Sequence, residues 1–209
     1  MCYTILMKNT YVIFIILIIV LLAFVFFGLN RTSPNGDIVP KDTPNQDESM
    51  GNLTLTSSAF EHNGKIPAKY TCDDENINPP LVINGVPEGA QSLVLIMDDP
   101  DIPQQFKDER GTDSFDHWTV FNISPDTVKI SENTEPEGTA GLNGRGESGY
   151  IGPCPPSEFE PTEHRYFFKL FALDITLSLK DSATKADVEK AIDGHILEQT
   201  ELIGLYERQ

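Results

Sequence analysis

The chain has 209 residues, 15 basic against 32 acidic, and a net charge of −17 at pH 7. That length accommodates one domain with appendages. The acidic balance argues against nucleic acid and against adhesion to anionic lipid surfaces, both of which require basic patches.

The amino terminus differs from everything after it. Tyr11 to Gly28 (YVIFIILIIVLLAFVFFG) is uncharged and almost wholly apolar, with Lys8 before it and Arg31 after it. A bilayer core takes about 20 apolar residues, and this run reaches the lower end of the workable range. The rival reading is a secretory signal, whose apolar region is usually about 7–15 residues long and ends in small residues. Here the run ends Phe-Phe-Gly-Leu-Asn-Arg, a poor cleavage site. Residues 1–28 are therefore expected to be a transmembrane anchor, with a cleaved signal sequence as the alternative. One Lys against one Arg gives almost no orientation bias. The expected location is a membrane-anchored domain outside the cytoplasm, or a secreted one if the segment is cleaved.

Residues 29–50 are rich in Pro, Asn, Asp and Ser and hold few large apolar side chains. They bury too little surface to offset ordering entropy, which predicts a flexible linker. Residues 51–209 then form the domain, and no internal repeat is visible. Cys2 precedes the apolar run. Cys72 and Cys154 can pair if the domain faces an oxidising compartment, or remain small buried thiols if it does not.

Within the domain, short apolar runs alternate with turn residues. Leu53–Thr56, Leu81–Val86, Ser92–Met97, His117–Ile123, Arg165–Leu173 and Leu202–Tyr206 all suit strands, and the continuous runs suit strands buried on both faces. Asn78-Pro79-Pro80, Asn84-Gly85, Pro87-Glu88-Gly89 and Gly152-Pro153-Cys154-Pro155-Pro156 punctuate them. One helix is indicated near the end. Ser182 or Thr184 caps it, Asp187 and Glu189 open it, and Val188, Ile192 and Ile196/Leu197 share a face. Strands first and one late helix exclude βαβ alternation, so the class is mainly antiparallel β, a sandwich with peripheral helices.

Two motifs are decoys. Gly144-Arg145-Gly146-Glu147-Ser148-Gly149 matches GxGxxG, but a dinucleotide loop must follow a strand and open a helix, and neither flank fits. Asp74-Glu75-Asn76-Ile77-Asn78 starts like a calcium loop, yet Pro79 replaces the required Gly and no Glu stands at the twelfth position. GxSxG, HExxH and CxxC are absent, which removes the commonest hydrolase, zinc-protease and redox readings.

His62 and His195 are isolated. His117 and His164 each begin a strand, and strand ends beside loops are where pockets form. Together with Asp99, Asp101 and Tyr166 they can build a small anion pocket. His and Tyr donate to phosphate or carboxylate oxygens, and an Asp holds a His tautomer. As strand-end residues they are expected to lie outside the core. No close ligand pair at helical or turn spacing supports a metal, and no cofactor motif is present.

YTCDDENINPPL, LVLIMDDPDIP, DHWTVFNI, GYIGPCPP and HRYFFKLFALD, in that order, resemble the phosphatidylethanolamine-binding protein family. They are closest to its bacterial and archaeal Raf kinase inhibitor-like (YbhB/YbcL-like) branch. The resemblance runs from about Leu53 to Arg208 and includes the tail DVEKAIDGHILEQTELIGLYER. It implies a Greek-key β-sandwich with a pocket for phosphate-like or carboxylate anions at one end. By motif, that pocket falls on Asp99, His117, Gly152, Pro153, Cys154, His164 and Tyr166. It also brings Cys72 and Cys154 close together, since both flank Pro-rich loops of the same pocket.

Three departures from the family pattern stand out. Ile102 replaces a usual Ala, Ile83 replaces a usual Trp, and residues 157–163 are longer and more acidic than expected. Negative charge beside an anion pocket would weaken phosphate binding. The leading expectation is a non-enzymatic binding module for small anions, and the resemblance adds a regulator or inhibitor of a kinase or protease. The alternative is a hydrolase using His117 or His164 as general base.

Overall fold

The computed structural model of the protein describes residues 53–208. The expected anchor at 1–28 and linker at 29–50 lie outside the described residues. Among those described, no helix is long and apolar enough to cross a membrane.

Among the described residues, nine strands make two sheets. β1 (Thr54–Thr56), β3 (Leu81–Asn84) and β6 (Lys129–Ile130) form a small antiparallel sheet in the order β1-β3-β6. The larger sheet contains β2 (Gly64–Lys65), β4 (Ser92–Asp99), β5 (Phe115–Ile123), β7 (Thr139–Ala140), β8 (Glu163–Leu173) and β9 (Ile196–Glu207). Its order is β2-β9-β8-β4-β5-β7, antiparallel except for the short β2–β9 pair. β4, β5 and β7 follow one another across the sheet, and β8 then returns to the free edge of β4. That order is a Greek key, whose long fourth connection here spans residues 141–162.

The core follows from side-chain alternation. Leu93, Leu95 and Met97 of β4 pack inward with Tyr166, Phe168 and Leu170 of β8 and with Leu55, Leu81, Ile83 and Ile130 of the small sheet. Val94 and Ile96 point the other way, onto Phe121, Leu177, Val188 and Ile192. Every residue of β4 is buried, because a sheet covers one face and a helix the other.

That helix is α2 (Lys185–Ile192), preceded in the chain by α1 (Gln104–Arg110) and by a 3-10 turn at Ala68–Tyr70. Thr184 caps α2 in a reciprocal capping box with Asp187, as its sequence signature predicts. The helix does not extend to Ile196 and Leu197. Gly194 adopts φ 78°, and the chain turns directly into β9, which begins six residues earlier than expected from its apolar pattern. Pairing with β8 from Leu173↔Ile196 to Glu163↔Glu207 overrides the weak local pattern. Ile196 and Leu197 are consequently exposed.

α1 was not expected. Its signals are Pro103 at the start and Gly111 at the end, where φ 65° lets the Gly111 N–H bond Lys107 O at 2.8 Å.

Candidate functional site

A bulge in β5 sets the geometry. Met97 pairs with Trp118 and Asp98 with Asp116, so His117 is the extra residue on its strand. Regular alternation would send His117 and Trp118 to opposite faces. The bulge instead brings both inward, Trp118 into the core and His117 against the Tyr166 ring at 5.2 Å.

The inner ends of β4 and β8 complete the group. His164 Nδ1 lies 2.7 Å from Asp99 Oδ2, and Asp99 Oδ1 accepts from the Asp101 N–H at 2.8 Å. Both carboxylate oxygens are therefore engaged, and Asp99 fixes the His164 ring with its proton on Nδ1. The His164 and Tyr166 rings stack with centroids 6.4 Å apart. Asp99, His117, His164 and Tyr166 are thus brought together on one side of one sheet.

The Greek-key connection closes the site. Gly152 passes so close to the 3-10 turn that a Cβ would sit 2.5 Å from Tyr70 O and 2.7 Å from Asn76 Oδ1. Only glycine fits there. Its N–H bonds Asn76 Oδ1 at 2.8 Å, while Cys72 N donates to Pro153 O at 3.0 Å. Cys72 and Cys154 are joined by a disulfide with Cα atoms 5.4 Å apart. Cys154 is therefore no free nucleophile.

Together these segments border a partly open cavity of about 250 Å³ lined by Asp99, Ile102, Phe115, His117, Gly152 and Cys154, with Arg110 and Arg145 also on its wall. His117 Nδ1 lies 2.7 Å from Ile151 O and must donate to it, since a carbonyl only accepts. That leaves Nε2 as the available atom. Burial pushes the His117 pKa below its ordinary value, so the ring is neutral near pH 7. Behind the wall, His164 Nε2 and Tyr166 Oη are buried with no hydrogen-bond partner. The Cys154 backbone bears on the Tyr166 hydroxyl without meeting hydrogen-bond geometry, and burial drives the Tyr166 pKa upward. Buried polar atoms left unpaired cost about 1–3 kcal/mol each, which marks this spot as a place held for polar contact.

Several expectations need correction. Asp101 does not line the cavity. It is taken by Arg165, with Nε–Oδ2 at 2.8 Å and Nη2–Oδ1 at 2.7 Å, and it latches the loop after β4 to β8. The Arg165 hydrogen bonds hold its pKa below the usual carboxylate range. Pro153, His164 and Tyr166 stand behind the lining rather than in it. The pocket histidines are not peripheral, since His117 is 4% and His164 0% exposed. The acidic residues of 157–163 do not line the cavity: Phe159 packs edge-on to Phe106, and Glu163 pairs with Lys65. Arg110 and Arg145 were missed, because α1 was unforeseen and Arg145 sits inside the GxGxxG decoy. In that decoy no helix follows. Asn143 Oδ1 instead accepts from Arg145 N at 3.0 Å and Glu147 N at 3.2 Å. His62 and His195 do not line the cavity: His62 Nδ1 accepts from Ile203 N, and His195 Nδ1 lies 2.9 Å from Asp174 Oδ1.

The sequence model described as phosphatidylethanolamine-binding protein matches residues 56–207. A UPF0098 protein of Methanothermobacter thermautotrophicus is 47% identical over 162 residues, 75% of this chain and 99% of the relative. The crystal structure of a homolog of that family, CT736 of Chlamydia trachomatis, is 42% identical with a TM-score of 0.69, covering 76% of this chain and 99% of its own. The structure of E. coli YbcL, described as a member of the mammalian family, is 25% identical with a TM-score of 0.66 over 75% and 99%. Fold, site and these matches place the chain in the phosphatidylethanolamine-binding protein family, in its bacterial and archaeal branch.

Proposed function

We propose that the domain binds a small anion, phosphate-like or resembling a phospholipid headgroup, in the cavity beside His117, and that it does so without turnover. The observation that carries this reading is a cavity with His117 on its wall and two unpaired buried groups, His164 Nε2 and Tyr166 Oη, behind it. Regulation of a kinase or protease is the step that family resemblance adds, and pocket occupancy is where it would act.

One observation favours the hydrolase alternative. The Asp99–His164 contact has the form of a base held by an orienting carboxylate. Cys154 is committed to its disulfide, so such a reaction would need water as nucleophile.

The location proposed is outside the cytoplasm, on an anchor at residues 11–28 or released after its cleavage. A Cys72–Cys154 disulfide supports an oxidising compartment.

The test is calorimetric titration of the full chain, held in uncharged detergent, with phosphate and phosphoethanolamine. Removing one donor to a charged ligand costs about 1.5–3 kcal/mol, roughly ten- to a hundredfold in affinity. His117→Ala should lose that much at about pH 6, where the ring on the cavity wall takes up a second proton on binding. Wild-type binding that survives His117→Ala would put the anion elsewhere. Steady release of product from phosphoester or acyl substrates would favour the enzyme.

A further inference from the structure

Four arginines lie among the described residues. Two have carboxylate partners: Arg165 with Asp101, and Arg208 with Asp73. Arg110 and Arg145 have none within ion-pair distance, in a chain whose acidic residues number 32 against 15 basic. Both line the same cavity.

They come from separate elements that are tied together. Arg110, in the last turn of α1, donates from Nη1 to Gly144 O at 3.3 Å, and its guanidinium lies over the Phe115 ring at 5.4 Å. Gly144 N donates to Asp116 O at 2.7 Å, which anchors the Arg145 loop beside the His117 bulge. A guanidinium stacked on an aromatic face keeps most of its donor fork free for a carboxylate or phosphate. The cavity also exceeds what one phosphate fills. Its roughly 250 Å³ corresponds to about eight water volumes of 30 Å³ each, against five heavy atoms in phosphate.

We infer that Arg110 and Arg145 form a second anion subsite at the cavity mouth, so that the ligand is a small molecule with two acidic groups, one held beside His117 and one by the two guanidinium groups. This rests on reading the cavity as an anion site. Phosphomonoesters that also carry a carboxylate are the class that fits.

The experiment titrates the full chain in uncharged detergent with three probes: phosphate, phosphoethanolamine and O-phosphoserine. The last two differ only by the carboxylate. O-phosphoserine should bind about tenfold tighter than phosphoethanolamine, the scale of two partly exposed charge-assisted contacts. In the double variant Arg110→Gln/Arg145→Gln that advantage should vanish while phosphate affinity falls by much less than O-phosphoserine affinity, and Lys at both positions should restore part of it. Thermal melts establish that the variants fold. Equal affinity for O-phosphoserine and phosphoethanolamine overturns the second subsite. So does an equal fall for phosphate and O-phosphoserine in the double variant, which would put both arginines on one anion. No phosphate binding by the wild type overturns the anion reading beneath it.

Discussion

At the scale of single residues, the state of His117 governs the chemistry. Its Nδ1 proton is spent on Ile151 O, so Nε2 of the neutral ring offers a lone pair, which repels an anion. Binding an anion at Nε2 requires a second proton on the ring. The unfolded ring titrates near its ordinary value of about 6.5, and the buried ring below it. Two signs follow. Stability without ligand should fall as pH drops below about 6.5, because the unfolded chain then takes up a proton that the native ring refuses. Anion affinity should rise over the same fall, by up to about tenfold per pH unit for one coupled proton. Sulfate is the suitable probe, since its charge is constant between pH 5.5 and 8. Calorimetry in buffers of different ionisation heat should detect about one proton taken up per sulfate, and His117→Ala should abolish it. An affinity for sulfate that is flat in pH would remove His117 from the contact.

At the scale of elements, α2 supports the site from behind. Its first residue, Lys185, is 8% exposed and reaches through the sheet face to Asp98 Oδ2 at 3.1 Å and Asp116 Oδ1 at 2.9 Å. Burial alone would lower the Lys185 pKa, but the two carboxylates outweigh it and hold it above its ordinary value. Asp98 and Asp116 are the chain neighbours of Asp99 and His117, and they are the pair that faces each other across the bulge. Removing one partner of a buried ion pair costs about 3–5 kcal/mol, because the remaining charge is stranded. Lys185→Met should therefore lower the unfolding free energy by about that amount in urea titrations. A loss below 1 kcal/mol would mean that Lys169, 2.9 Å from Asp98, neutralises the cluster unaided.

At the scale of the whole molecule, the disulfide ties the longest Greek-key connection to the loop before β3. Its half-cystines are 82 residues apart in sequence. Closing a loop of that length stabilises by about 3–5 kcal/mol in the chain-entropy picture. Cys154 also lines the cavity, so the same bond holds one of its walls. Reduction should lower the melting temperature and weaken phosphate binding together. A reduced protein that melts lower yet binds phosphate unchanged would show that Gly152 and its bonds to Asn76 hold the wall alone.

The strands of the core were readable because burial on both faces demands an unbroken apolar run, which β4 carries, while β8 is dense in aromatic and aliphatic side chains and buries alternate residues. α2 was readable because Thr184 and Asp187 write a capping box locally. Asp99, His117, His164 and Tyr166 stood out as polar residues at the ends of such runs, and motif resemblance grouped them. Other features had no local signal. The bulge that turns His117 inward depends on pairing with β4, and the length of β9 on pairing with β8. Asp101 looked like a ligand until Arg165 took it, and Arg110 and Arg145 looked like ordinary surface charge. Composition and periodicity along the chain thus determined the long strands and the apolar side chains of the core, but not the short strands β2, β6 and β7 or the burial of His117 and His164. Strand register and loop closure decided which polar atoms meet, because those distances are set between segments far apart in sequence.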